Sequence, residues 1–162
     1  MLALLTSNYL INVGLLAWIA AQVSKTILHF LMTGKWVFER MFGAGGMPSS
    51  HSALVCSITI GMVRKVGFDS PGFALALTLA AIVMYDAMGV RRAAGEHAKV
   101  INKLVFGFQF LDLVQPAEEE KEDERLIGPD QEKLKEYLGH TPFEVLGGAL
   151  LGILIAMIVP VK

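Results

Sequence analysis

Two short stretches of this 162-residue chain concentrate side chains that can move protons or attack an electrophile. The first is Pro48-Ser49-Ser50-His51, which follows Gly43-Ala44-Gly45-Gly46 and opens an apolar run. Serine before an apolar helix is a good N-cap, and the free N–H groups of the first turn attract anions. A histidine in that turn could give a proton to an oxyanion held there, whereas the plainer reading is a capped helix with an interfacial histidine. The second stretch is Gly139-His140-Thr141-Pro142-Phe143-Glu144. Thr141 and Glu144 have the spacing of a capping box, with Pro142 at the first helical position. A carboxylate that accepts one imidazole N–H fixes the tautomer and makes the other nitrogen a better nucleophile or base. Capping and orientation of His140 then coexist only if Glu144 divides its two oxygens between them.

Other polar residues are scattered through apolar surroundings. Gln22, Lys25 and His29 form a polar stripe at helical spacing. An ionisable residue in a span usually faces a cavity or partner, although a lysine can also snorkel to the interface. Asp86 is followed by Gly89-Val90-Arg91-Arg92 and Gly95-Glu96-His97. Arg91 and Arg92 could bind phosphate oxygens bidentately, or simply flank a span, with Asp86 as an ion-pair partner. Gly147, Gly148 and Gly152 are explained by close helix packing alone.

These residues need elements to position them, and the composition says which kind. Counting glycine and leaving out tyrosine, roughly 62% of the chain is apolar, against about 45–50% for a soluble domain. The predicted fold is all-α: a polytopic membrane bundle of about four spans, near 4–32, 49–66, 71–90 and 142–161, in one domain covering 1–162. The spans alternate in direction, so Lys25, His29, His51, Asp86, Arg91, Arg92, His140 and Glu144 are all expected at one membrane face. On that face lies a polar connection, 91–139. Within it Val100, Ile101, Leu104, Val105, Phe108 and Leu111 recur as in an amphipathic helix, on the interface or packed on the bundle. Residues 115–125 read as a mobile acidic loop, and Gly128-Pro129-Asp130 turns into a short helix ending near Tyr137. Nine of the 15 acids fall between 118 and 136, and the net charge is −1. That balance excludes a basic nucleic-acid-binding domain, and the lone Cys56 excludes an internal disulfide framework. The site face also carries ten basic residues against Arg64, Lys65 and Lys162 opposite, which by the positive-inside rule turns it to the cytoplasm.

Taken together, the motifs resemble the type 2 phosphatidic acid phosphatase superfamily, related to acid phosphatases and vanadium haloperoxidases, in its small divergent branch. Met47-Pro48-Ser49-Ser50-His51-Ser52 is similar to the second signature, and Leu138 to Ala149 to the third. The resemblance implies His140 as the phosphorus-attacking nucleophile, Glu144 as its orienting acid and His51 as general acid. Ser49, Ser50 and nearby N–H groups would help to hold the phosphoryl oxygens. The pattern is departed from in several places: Met32-Thr33 stand where Arg-Pro should follow Lys25, Ser50 where glycine is usual, Lys133-Leu134 where Ser-Arg should precede His140, and Glu144 where aspartate is usual. Arg91 or Arg92 is then expected to replace the lost arginine, and Lys25 or Lys35 the lost lysine.

The expected activity is hydrolysis of a lipid phosphate or isoprenoid diphosphate without a cofactor, by a multi-pass protein of the bacterial plasma membrane. Two alternatives differ in chemistry. In one, Asp86, with Glu96 and His97, binds Mg²⁺ for phosphoryl or phosphatidyl transfer. In the other, the protein binds anionic lipid as a non-catalytic scaffold. Four spans are thin cover for a polar site, which leaves room for a homodimer.

Overall fold

The computed structural model describes residues 7–34, 46–114, 134 and 139–161, the backbone alone for 106–114. Five helices are described: α1 (Tyr9–Thr33), α2 (Ser50–Val66), α3 (Pro71–Met88), α4 (Val90–Val114) and α5 (Pro142–Ile158), with no strand among the described residues. The architecture is all-α, as expected. Lys35, Arg40, the 115–125 loop and the 128–137 turn and helix lie outside the described residues.

Local chemistry sets the helix ends. Asn8, Ser49, Ser70 and Thr141 each stand at an N-cap and accept backbone N–H bonds from the first turn, and Pro71 and Pro142 follow at the first helical position. Gly34 closes α1 at φ +67°, a left-handed conformation suited to glycine.

One boundary differs from the expectation. Residues 91–98 form the start of α4 rather than a connection, and Gly89 is the only interruption between Pro71 and Val114. Its N–H bonds the Tyr85 carbonyl and its own carbonyl accepts from Ala93, so backbone bonding runs on through the break. The sequence that follows is rich in alanine, arginine, glutamate and lysine, all good helix formers.

α2 is the central helix, packed against α1, α3 and α5. Apart from Val55, its buried side is made of small or hydroxylated residues, including Ser52, Ala53, Ser57 and Thr59. The large apolar side chains point outward instead, among them Leu16 and Ile19 of α1, Leu75 and Leu79 of α3, and Leu150 and Leu154 of α5. A water-soluble bundle has the reverse arrangement. Small residues inside and large ones outside suit helices that meet in lipid, where close backbone contact replaces hydrophobic collapse. Among the described residues two helical runs, Tyr9–Thr33 and Pro71–Val105, are long and apolar enough to cross a membrane, and Pro142–Ile158 is apolar but shorter.

Glycine makes the tightest crossing. A Cβ on Gly148 would collide with the Ser49 carbonyl, and one on Gly152 with the Ala53 carbonyl. The four-residue step on α5 therefore matches a four-residue step on α2, backbone against backbone. At the opposite end, the Arg64 guanidinium donates to the Ala156 and Val159 carbonyls, 2.7 Å for the latter. That contact satisfies acceptors which the end of α5 leaves open.

Candidate functional site

His140 sits in the turn before α5, and main-chain contacts place it. Its N–H donates to the Ala87 carbonyl at 2.9 Å, tying the turn to the last turn of α3. Gly139 before it has φ +92° and lies against the Arg91–Arg92 backbone, where a Cβ would overlap the Arg92 main chain. Conformation and space both require glycine there. Ser49 donates its N–H to the Glu144 carbonyl at 2.9 Å, which joins the start of α2 to the start of α5.

His140 is 4% exposed, and its Nδ1 lies 3.2 Å from Glu144 Oε2. The same oxygen accepts the Thr141 N–H at 2.9 Å, and Thr141 Oγ1 accepts the Glu144 N–H. The expected division of labour between two oxygens is corrected here. One oxygen serves both the capping box and the imidazole, because Thr141 N and His140 Nδ1 approach it together. With a carboxylate at Nδ1, that nitrogen carries the proton and Nε2 keeps the lone pair. Burial pushes the His140 pKa below its ordinary value; the Glu144 contact opposes the shift, and the charges of Lys25 and Arg91 add to it. The ring is therefore neutral at pH 7, as a nucleophile or base must be.

A cavity of about 200 Å³ opens beside this ring, lined by His140, His51, Asp86 and Arg91 with Ile82 and Val83. Three helices and one turn contribute: His51 from the first turn of α2, Asp86 from the end of α3, Arg91 from the start of α4, and His140. Arg91 Nε donates to Asp86 Oδ2 at 2.6 Å, and both side chains stay partly open to solvent. Lys25 is buried, its stem lying where a Cβ on Gly46 would touch it, and its charge is felt at His140. It faces the bundle interior and does not snorkel.

Other expected site residues fall elsewhere. Ser49 and Ser50 are almost fully buried and do not line the cavity. The Ser49 hydroxyl accepts from Ser52 Oγ at 3.0 Å, and its carbonyl lies under Gly148. Arg92 is exposed and lies off the cavity, so of the two adjacent arginines only Arg91 lines it. His29 meets Thr33 on its own helix, with Oγ1 3.4 Å from its Nε2. Asp86 bonds Arg91 and Glu96 bonds Lys99, and no group of three or more potential metal ligands comes together among the described residues. Lys35 is outside the described residues.

The sequence reading missed Gly139 and Ala87, which set the position of His140 through backbone alone. A glycine two residues before a capping box was the available signal for the first, and Ala87 carried none. Gln22 is also notable, being 7% exposed with no hydrogen-bond partner for Oε1 among the described residues.

The model of the family described as "Divergent PAP2 family" matches residues 6–155. A relative from Bacillus subtilis (strain 168), described as "Uncharacterized membrane protein YuiD", is 43% identical over 159 residues, covering 95% of each chain. No solved structure matches.

Proposed function

The chain belongs to the divergent PAP2 family, and from that membership and the cavity we propose that it is a membrane phosphatase acting on a lipid phosphate or isoprenoid diphosphate. The observation that carries the reading is the bond between buried His140 and half-buried Glu144, with the imidazole opening onto a cavity shared with His51 and Arg91. In this reading the apolar helices α1, α2, α3 and α5 cross a bacterial plasma membrane, with the cavity at the cytoplasmic head-group level. A space of about 200 Å³ is smaller than the ~300–1,000 Å³ of pockets that enclose whole small ligands. A head group fits such a space while the tails remain in lipid.

The chemistry needs five side chains. Nε2 of His140 attacks phosphorus, the bond to the departing oxygen breaks, and protonated His51 gives that oxygen its proton. Water then attacks the phosphohistidine; His51 takes the water's proton, the P–N bond breaks, and inorganic phosphate leaves. Glu144 holds the Nδ1 proton throughout and steadies the positive charge that grows on the ring. Arg91 and Lys25 supply positive charge for the phosphoryl oxygens, in place of the departed family signatures.

Phosphate release from a panel of lipid phosphates tests the proposal, with wild type beside His140→Ala in the same detergent. The variant is expected to fold normally and to fall to background. Full turnover in His140→Ala would refute the assignment.

The Asp86–Arg91 bond favours a second reading, because a carboxylate in the cavity competes with phosphate for its arginine. In that reading the site binds an anionic head group without turnover. Saturable binding of lipid phosphate by wild type, with no phosphate released, would select it.

A further inference from the structure

α4 has a surface unlike that of the other helices. At about 100° per residue, Gly95, Ala98 and Asn102 fall on one side, and all three are buried. The Asn102 side chain there exchanges two hydrogen bonds with the Leu134 backbone, at 2.9 and 3.0 Å. Away from this side Val90, Val100, Ile101 and Leu104 form an apolar arc of about 100°, interrupted by His97, and these four are 46–66% exposed. Arg92, Lys99 and Lys103 lie between the two, within about 40° of one another. Glu96 shares that edge; Lys99 bonds it at 2.9 Å and holds its carboxyl below the usual range, with smaller contributions from Arg92 and Lys103. The helix thus has a buried stripe, a net basic edge and an uncovered apolar arc.

The charge pattern indicates what covers that arc. α1, α3 and α5 also turn apolar residues outward, but α3 and α5 carry no lysine or arginine, and the lysine of α1 is buried. A second copy packed face to face would bring basic edges together. A neutral lipid interior would explain the arc and leave the basic edge without a counterpart.

We propose that α4 lies at the membrane surface, its apolar arc among the acyl chains and Arg92, Lys99 and Lys103 on anionic lipid head groups. Each cation near an anionic leaflet favours it roughly fivefold, so two lysines contribute about 30-fold, less the share neutralised by Glu96. Because the same helix presents Arg91 to the cavity, this anchoring fixes the cavity at head-group depth. The inference stands on α4 alone and does not depend on catalysis.

The test uses the full chain in lipid nanodiscs, either phosphatidylcholine alone or with a third phosphatidylglycerol. An environment-sensitive fluorophore is attached through Leu104→Cys in a Cys56→Ala background. With phosphatidylglycerol present the label should become several-fold better shielded from iodide and more accessible to a lipid-borne quencher. Lys99→Gln with Lys103→Gln should erase the difference between the two discs, and Lys99→Arg with Lys103→Arg should preserve it. Circular dichroism of each variant confirms the helix content. Equal access to iodide in both discs would overturn the proposal. So would equal shielding in both, and energy transfer between labelled copies would then identify a second copy as the cover.

Discussion

Replacing Glu144 by glutamine separates two tasks that one oxygen performs. The amide oxygen can still accept the Thr141 N–H, and Thr141 Oγ1 can still accept the residue-144 N–H, so the capping box survives. What is lost is the carboxylate charge 3.2 Å from His140 Nδ1. A hydrogen bond to a charged group contributes about 1.5–3 kcal/mol and a neutral one about 0.5–1.5 kcal/mol. The observed distance is longer than the ~2.7–2.9 Å of the strongest charge-assisted bonds, so a loss of about 1–2 kcal/mol is the fitting range. If the ring becomes cationic in the transition state, that loss corresponds to a roughly fivefold to thirtyfold fall in kcat.

The pH profile gives an independent check. The Glu144 hydrogen bond and charge both raise the His140 pKa against the lowering effect of burial. Glu144→Gln removes the charge and leaves only a weaker, neutral hydrogen bond, so the pKa falls further and the acid limb of kcat/KM moves to lower pH while the plateau drops. The assay is phosphate release between pH 4 and pH 8, with a thermal melt in the same detergent to show that the fold persists. An unchanged kcat, or an acid limb moving to higher pH, would refute the orienting role.

Three further outcomes follow from the same geometry. Asp86→Asn removes a negative charge 2.6 Å from Arg91, so inorganic phosphate should inhibit several-fold more strongly; weaker inhibition would mean that Asp86 chiefly aims the arginine. Lys25→Met removes a charge that lowers the His140 pKa, and should shift the acid limb of activity to higher pH, opposite to Glu144→Gln. Gly152→Leu drives a side chain into the Ala53 carbonyl, backbone that cannot yield as a flexible side chain would. It should destabilise the protein by about 1–3 kcal/mol or more, read as a lower midpoint on heating; an unchanged midpoint would contradict the close crossing of α2 and α5.

What could be read from the sequence was mostly local. Ser70-Pro71 and Thr141-Pro142 with Glu144 announce helix starts because cap chemistry acts over three or four residues. Alternation of the apolar runs was enough to bring His51, Asp86, Arg91 and His140 to one end. Relative rotation and depth were not legible. Arg91 and Arg92 are equivalent as letters, and only the register of α4 against α3 turns the first to the cavity. Ser49 looked available for a ligand because the close approach of Gly148, a hundred residues away, cannot be inferred from a serine before a helix. Lys25 posed the same difficulty, since burial or snorkelling depends on what α2 places beside it. Residues 91–98 were assigned to a connection because Gly89 and the charges after it imitate a helix end.

The frame around the cavity is made almost wholly of main chain. Glu144 O receives the Ser49 N–H, Ala87 O receives the His140 N–H, and Gly139 rests on the Arg91–Arg92 backbone. Together with the Gly148 and Gly152 crossing, these contacts link the start of α2, the end of α3, the start of α4 and the start of α5 without using a side chain that lines the cavity for chemistry. Such a frame is insensitive to the identity of His51, Asp86, Arg91 and His140. Substitutions at those four positions therefore report on chemistry rather than folding. Under the proposed function, the frame would also let the site keep His51, His140 and Glu144 while its positive charge comes from other positions. Charge can reach the cavity from any helix end that the backbone already holds there, as Arg91 does from a helix that supplies neither histidine.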